Sequence, residues 1–562
     1  MFTKSQLLSF AQRLLTGVLV AGGLAMQPVM ADWPAHRANP QRTNFGEQEI
    51  TATAWEPLWY QPVLGSPTPA WPAPAKASLW NKLSSLEPRM TDDSGDIPLI
   101  ARDAQGAYHV LVTSSANDRL ILLAPTTGEI EWQYVMRAPI RYAPSIVDGI
   151  AYLGADDGMV RAVNLSDGAE VWSVHVGPAM PAIIGNNRLI SPHPVRTSVL
   201  ADSQFVYASA GLFPSQGVYL VALDRASGKV HWRRNTTKSP QGYLLSTDDN
   251  LLYVPTGRAT PFAIRRDNGE FAAELPSPGG NFCMLTKQAF FSGPGNDGSV
   301  QARPSATDAK MLTFAGRLIV AGANRIWTAN GKQLTCVDAG ALKQGEMTPQ
   351  WSLDCSLKGT MIGAGSSEKP ILFIAQGPKI EIRNGSDGTL LNELLLPNVD
   401  DAIQYLAVSS AGKNMPETLV ATTQSGAIYA WEGTTDGAHN ENFAEPTSLP
   451  ALAERTSTTP KSAQRVAAVL EQLPVARGWI LLMGDDDGDL ARSIVTNSEF
   501  NVLSLVAQQM IASRLHTQFQ GEQIYGSRVS VWLQPDDATL PMRQACSTPL
   551  LKEHPASEMM LN

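Results

Sequence analysis

Cysteine is scarce in this chain of 562 residues: there are four, and none precedes Cys283. Neither a CxxC nor a His-x-x-x-His spacing occurs, which excludes the common structural zinc sites. Charge is sparse too, at 17% of residues, and a net charge of -9 supplies no concentrated basic face for nucleic acid or an anionic membrane. No apolar run reaches the ~20 residues that a spanning helix needs. The run Leu14 to Met26 follows Lys4 and Arg13 and precedes the small residues of Val29-Met30-Ala31. That order reads as a secretory signal over 1–31, cleaved before Asp32. No cysteine stands at the cleavage point, so no lipid anchor is expected, and the mature chain is expected to be exported and periplasmic or equivalent.

In such a compartment an even number of cysteines permits bridges without requiring them. Cys336 lies in an expected strand, Gln333-Leu334-Thr335-Cys336-Val337, and Cys355 ends another, Trp351-Ser352-Leu353-Asp354-Cys355. A hairpin about residues 341–348 would let the two face each other as a candidate disulfide; the alternative is two buried thiols.

What the chain has in plenty is repetition. Gly128-Glu129-Ile130-Glu131-Trp132 recurs as Gly168-Ala169-Glu170-Val171-Trp172 and Gly228-Lys229-Val230-His231-Trp232, with a weaker copy at Gly269-Glu270-Phe271. Alternating strands precede each copy, such as Arg161 to Leu165 before Ser166-Asp167-Gly168. The Asp-Gly and Ser-Gly pairs supply the positive φ of tight hairpins. Alternation lays one face on a neighbouring sheet, and each Trp is a large apolar plug for the gap between sheets. A period of about forty residues with three or four short strands is one propeller blade. Units fall near 99–132, 140–172, 195–232, 243–274, 282–312, 316–351, 360–391 and 403–432. The fold class is therefore mainly β, a seven- or eight-bladed β-propeller over 32–432; the weak pattern at 282–312 leaves seven open. Trp55-Glu56-Pro57-Leu58-Trp59 is expected to pair with the last blade and close the ring. The long interval before Trp232 marks an insertion around 178–195.

These Gly-x-x-x-Trp blades resemble the pyrroloquinoline quinone (PQQ) repeat superfamily, which includes quinoprotein alcohol dehydrogenases and the outer-membrane assembly propeller. The opening Asp32-Trp33-Pro34-Ala35-His36-Arg37-Ala38-Asn39-Pro40-Gln41-Arg42-Thr43 is similar to the first segment of these exported propellers. Pro194-Val195-Arg196-Thr197, Gly211-Leu212-Phe213-Pro214, Ser239-Pro240-Gln241-Gly242-Tyr243 and Val254-Pro255-Thr256-Gly257-Arg258 resemble a subfamily fused to a C-terminal methyltransferase-like domain. The resemblance implies a site for PQQ with calcium, built in the dehydrogenases from Glu, Asn and Asp, a stacking Trp and an adjacent-cysteine disulfide. No Cys-Cys pair exists here, and no carboxylate set matches residue by residue. Arg196 and Arg258 are the candidates for binding the PQQ carboxylates; the preferred alternative is that they tie loops to carbonyls across blades.

Residues 433–460 read as a linker. Lys461 to Leu473 has helical apolar spacing. Strands at 478–483, 500–506 and 525–532 then alternate with helices to give half of a doubly wound α/β sheet over 461–562. This half Rossmann-like piece resembles the start of a class I S-adenosylmethionine (SAM) methyltransferase. Gly484 and Gly488 take the outer glycine places of its ligand loop, but Asp486 replaces the middle glycine and Val506 replaces the ribose-binding acid. Asp536 and Asp537 follow the third strand where that family contacts adenine. The domain is expected to be degenerate, with the chain ending before further strands form, and SAM binding is not expected. The functional expectation is a non-catalytic propeller that binds an envelope protein or polymer, with no cofactor. The alternatives are a PQQ-dependent oxidoreductase and a vestigial methyltransferase.

Overall fold

The computed structural model describes residues 33–62, 65–70, 92–435, 442–444, 458–533 and 550–552, apart from a few loop positions within those ranges. The signal reading at 1–31, most of the linker, Asp536, Asp537, Cys546 and Arg258 lie outside the described residues.

Eight sheets are propeller blades, spanning 99–135, 145–175, 200–235, 245–274, 282–314, 318–354, 360–395 and 403–434. Each has an antiparallel meander whose strands run in chain order from the channel outward, four in blades 1 to 7 and three in the last, which borrows its fourth. The weakly patterned stretch at 282–312 is a full blade: Phe282, Met284, Phe291 and Phe314 are buried in one cluster that supplies its core. The ring closes where Ala54–Gln61 pairs antiparallel with Ile428–Thr434, so the last blade takes its outermost strand from near the N-terminus. Closure of this kind leaves no unpaired edge between first and last blades.

The Gly-x-x-x-Trp unit works across blades. In blades 1, 2 and 3 the outermost strand carries a bulge just before the tryptophan, which re-aims the side chain. Trp132 Nε1–H donates to Leu165 O at 2.8 Å, Trp172 to Arg225 O at 3.0 Å, and Trp232 to Arg266 O at 2.8 Å. Each ring lies flat on the turn glycine of the next blade: a Cβ on Gly168, Gly228 or Gly269 would stand 2.8, 2.7 or 2.6 Å from it. Trp59 repeats the contact on Gly128, and its Nε1–H reaches Pro125 O at 2.8 Å, so the closing strand docks by the same device.

The expected bridge between Cys336 and Cys355 does not form, and both cysteines are free. The hairpin exists, but its register sets Cys336 opposite Trp351 and Gln333 opposite Asp354. Cys355 then lies four residues further along, about 13 Å at ~3.3 Å per residue, beyond the reach of a disulfide. Burial pushes the Cys336 thiol up to about 12.

The insertion forms a short hairpin, Ile183–Gly185 with Arg188–Ile190. Its Ala182 and Leu189 pack with Trp479, Leu481, Leu503, Leu505 and Trp532 of the C-terminal α/β unit. Arg188 braces the hairpin under this joint against blade 1, holding both oxygens of Asp118 at 2.5 and 2.6 Å and donating to Ser115 O at 3.1 Å. The strands of that unit, Trp479–Met483, Asn501–Val506 and Val529–Leu533, are parallel, and Leu550–Lys552 adds a fourth beside Trp479–Met483. A further strand therefore does form, where the chain was expected to end before one could. Among the described residues no helix is long and apolar enough to cross a membrane.

Candidate functional site

The channel is threaded by the chain's own opening segment. Trp33 exchanges backbone bonds with Ile100 of blade 1 at 3.1 and 3.2 Å, and Pro34 O accepts from Ile146 of blade 2 at 3.1 Å. Pro40, Gln41, Thr43 and Asn44 carbonyls accept from Ser246, Leu285, Ala321 and Gly363 of blades 4 to 7. Phe45–Gly46 then pairs in parallel with the innermost strand of blade 7. Satisfying successive innermost strands fixes this segment in place, and Arg37 and Ala38 hold φ values of 63° and 73° within it. Non-glycine residues keep such angles only where their surroundings over-determine them.

Above this plug, a pit of about 670 Å³ opens at the mouth where the innermost strands begin, floored by His36, Arg37 and Asn44. Asp92 is its charged centre, 2.9 Å from Arg37 and 2.8 Å from Arg317. Burial would raise the Asp92 carboxyl, but Arg317, His36 and Arg37 hold it well below the ordinary carboxylate range. His36 is pushed down to about 4, chiefly by burial. Its Nε2 accepts from Arg37 Nε at 3.2 Å, which assigns a neutral ring. The pit therefore presents a compensated Arg–Asp–Arg system beside a neutral imidazole and the Tyr405 phenol. With the Asp92 carboxylate spent on two arginines, the Tyr405 phenol and the His36 ring are the other groups here that could serve proton transfer. Burial moves both away from neutrality, His36 to about 4 and Tyr405 upward, so neither is poised as a general acid or base.

Arg196 lies elsewhere on the mouth, before the innermost strand of blade 3. It is 2% exposed and ion-paired with Asp156 at 2.8 Å, and Arg141 holds the same carboxylate at 3.1 Å. Arg196 thus ties a loop across blades through a carboxylate rather than a carbonyl, and Arg258 lies outside the described residues. A tricarboxylate quinone with calcium needs uncommitted cations and clustered oxygen ligands. Here Arg196 is committed to Asp156, the opening segment fills the channel below the mouth, and the described residues hold no group of three or more His, Cys, Asp or Glu side chains placed to share an ion. The described residues do not fit PQQ.

In the C-terminal unit, Gly484 and Gly488 make their turns with φ of 79° and 75°. Between them the Asp485 carboxylate accepts from Leu490 and Ala491 N–H at 3.1 and 2.9 Å, so the chain caps its own helix Asp489–Asn497. Asp486 is exposed, with its carbonyl taken by Arg514. Gly488 faces Phe519 and Leu515 rather than open space. A nucleotide cradle needs free helix N-terminal amides, and here they are occupied. This loop does not fit SAM.

Sequence reasoning had passed over His36, Arg37, Asp92 and Arg317 as a set. His36-Arg37 stands inside the opening segment that carries the family resemblance, which is the one signal that pointed there. Asp92 and Arg317 carry none, being single polar residues in loops 225 positions apart.

Residues 77–193 match the family model described as outer membrane protein assembly factor BamB. A curated relative, tetrathionate hydrolase of Acidithiobacillus ferrooxidans, is 34% identical over 139 residues, which covers 23% of this chain and 27% of that protein. The chain therefore matches little more than a quarter of that relative's length. Among solved structures, the quinohemoprotein alcohol dehydrogenase from Comamonas testosteroni superposes with a TM-score of 0.51 at 11% identity, covering 79% of this chain and 86% of that one. The quinohemoprotein alcohol dehydrogenase ADHIIG from Pseudomonas putida HK5 gives 0.50 at 10% identity with the same coverage. At such identities the likeness is one of fold.

Proposed function

We propose that the chain is an exported, non-catalytic PQQ-like propeller that acts as a binding scaffold for a protein or polymer of the cell envelope. The observation that carries this reading is the opening segment, bonded into the innermost strands so that the space along the channel axis belongs to the chain itself. With Arg196 committed to Asp156, the mouth is left as a compensated recognition surface rather than a redox pocket. The family model matched by residues 77–193, named for an outer-membrane assembly factor, supports an envelope setting, as does the signal reading of 1–31. Fold alone would equally suit a dehydrogenase, because one fold hosts many functions. A degenerate C-terminal unit seated on the insertion hairpin is part of the same proposal. It stiffens one side of the mouth and carries no SAM chemistry.

A second reading, hydrolysis of a sulfur oxyanion, is favoured only by the partial match to tetrathionate hydrolase. Native mass spectrometry of the chain from Asp32 onward tests the first. After incubation with PQQ plus calcium and separately with SAM, bare protein is expected in both samples. A stoichiometric PQQ adduct would overturn the scaffold reading.

A further inference from the structure

Strand order fixes where each outermost strand begins. In a meander of four, the first and third strands run away from the mouth and the second and fourth return, so the outermost strands start at the face opposite the mouth. In blades 2 to 7 a large apolar side chain stands exposed at that start. Phe271, Val230 and Leu390 open their strands and Val171 is second in its own, while Met311 and Met347 come just before theirs. All six are between 38 and 60% exposed, and Leu391 beside Leu390 is 49% exposed.

One exposed apolar residue is ordinary on a folded chain. The same exposure at one level of six consecutive blades calls for a common cause. Blades are related by rotation about the channel axis, so equivalent positions lie close to one plane normal to it. The six do not merge into a patch, because neighbouring sheets stand at least ~10 Å apart. Polar residues also separate them: the residue before each is Glu170, Lys229, Glu270, Lys310, Glu346 or Thr389, and all of these are exposed. A protein interface needs a contiguous, close-packed centre, which separated single residues do not supply. A lipid surface is flat, wide and fluid, and takes separate apolar side chains at headgroup level all at once. The neighbouring charges carry both signs, so headgroups without net charge suit this rim better than anionic ones.

We propose that the rim of blades 2 to 7 on the face opposite the mouth docks on a lipid surface of zwitterionic headgroups, with Val171, Val230, Phe271, Met311, Met347 and Leu390 as shallow anchors. None of the described helices crosses a membrane, and this contact needs none, since the anchors enter only the headgroup layer. Docked in this way, the disc lies flat and turns its mouth away from the lipid. The proposal stands apart from the scaffold reading, which concerns the opposite face.

Flotation of the chain from Asp32 onward with vesicles of phosphatidylethanolamine and phosphatidylcholine tests it. The chain is expected to float with the lipid, equally at about 0.1 M and about 0.5 M salt, because apolar insertion is not screened. The pair Phe271→Asp with Leu390→Asp should lower the bound fraction at least about tenfold, by removing apolar anchors and adding charge. Val230→Asp with Met347→Asp, in two other blades, should do the same. Both pairs change exposed side chains, and their melting points, measured alongside, should match the parent's. Phe213→Asp is the control: Phe213 is 51% exposed in the loop between the second and third strands of blade 3, at the mouth, and its loss should leave flotation unchanged. A parent that stays with the lipid-free fraction overturns the proposal. So does flotation that either folded pair retains, or that Phe213→Asp reduces equally. A parent dimer that Val230→Asp with Met347→Asp splits would make the ring a contact between copies and would overturn it as well.

Discussion

Replacing Gly228 with alanine should be costly mainly because of a tryptophan in another blade. Gly228 holds φ at 69°, and a Cβ there would stand 2.7 Å from Trp172 Cδ2 and 2.8 Å from Cε3. Gly228→Ala thus carries about 1–2 kcal/mol for a left-handed L-residue. It carries a further ~1–3 kcal/mol for displacing a packed ring. Trp172→Ala, at a side chain 9% exposed that also donates to Arg225 O, should cost about 3–5 kcal/mol. In the double variant the new methyl meets no ring, so only the backbone penalty remains. The double-mutant cycle should therefore fall short of additivity by ~1–3 kcal/mol. Urea unfolding followed by far-ultraviolet circular dichroism reads all four proteins. Gly106→Ala serves as control, because φ is 81° there but no atom lies within 4 Å of an added Cβ. It should cost the backbone penalty alone. Additivity within about 0.5 kcal/mol would mean that Gly228 serves its turn and not the ring, and the docking argument would fail.

Two further outcomes follow from buried charge. Asp96 is 5% exposed, neither of its carboxyl oxygens has a partner, and burial alone pushes it well above the ordinary carboxylate range. The folded chain keeps a proton that the unfolded chain loses near about pH 4. Stability contributed by this group is therefore full below that pH and declines as pH rises, by at most about 1.4 kcal/mol per unit, until the folded carboxyl ionises. Asp96→Asn, which also suits the φ of 59°, should flatten that decline in melts from about pH 4.5 to 8, and parallel profiles would refute the assignment. Arg188→Ala leaves Asp118 buried and unpaired, a loss of about 3–5 kcal/mol at the joint. Limited proteolysis should then cut within 458–533 sooner than within the blades; an unchanged cleavage order would show that the ion pair does not secure the α/β unit.

The blades were legible because their main interactions repeat. Gly128, Gly168 and Gly228 each answer a tryptophan one blade away, so the same residues recur at the blade period and announce themselves in a single sequence. Blade 5 breaks that code: Phe291 and Phe314 fill its core without a docking tryptophan, which is why its place in the ring was the doubtful one. The cysteine pair misled for a related reason. Both strands were read correctly, but the register depends on the connection through Ala339–Leu342, a helical turn capped by Asp338, and alternation does not encode that length.

The mouth was illegible on principle. A ring of blades can repeat a structural contact in every blade, yet its axis is a single place, to which each blade contributes at most a residue or two. Asp92, ahead of blade 1, and Arg317, directly before blade 6, meet only in the folded ring, and the opening segment meets the innermost strands through backbone bonds that any side chain permits. Arg196 shows what can still be recovered. Its motif made it a candidate partner for a bound carboxylate, but in the fold its guanidinium is spent on the Asp156 carboxylate of the neighbouring blade. Arg196 stands before the first strand of blade 3, and Asp156 follows the second strand of blade 2. A unique site in a repeat protein is thus written in the departures from the repeat, and each departure acquires meaning only when the ring brings it beside the others.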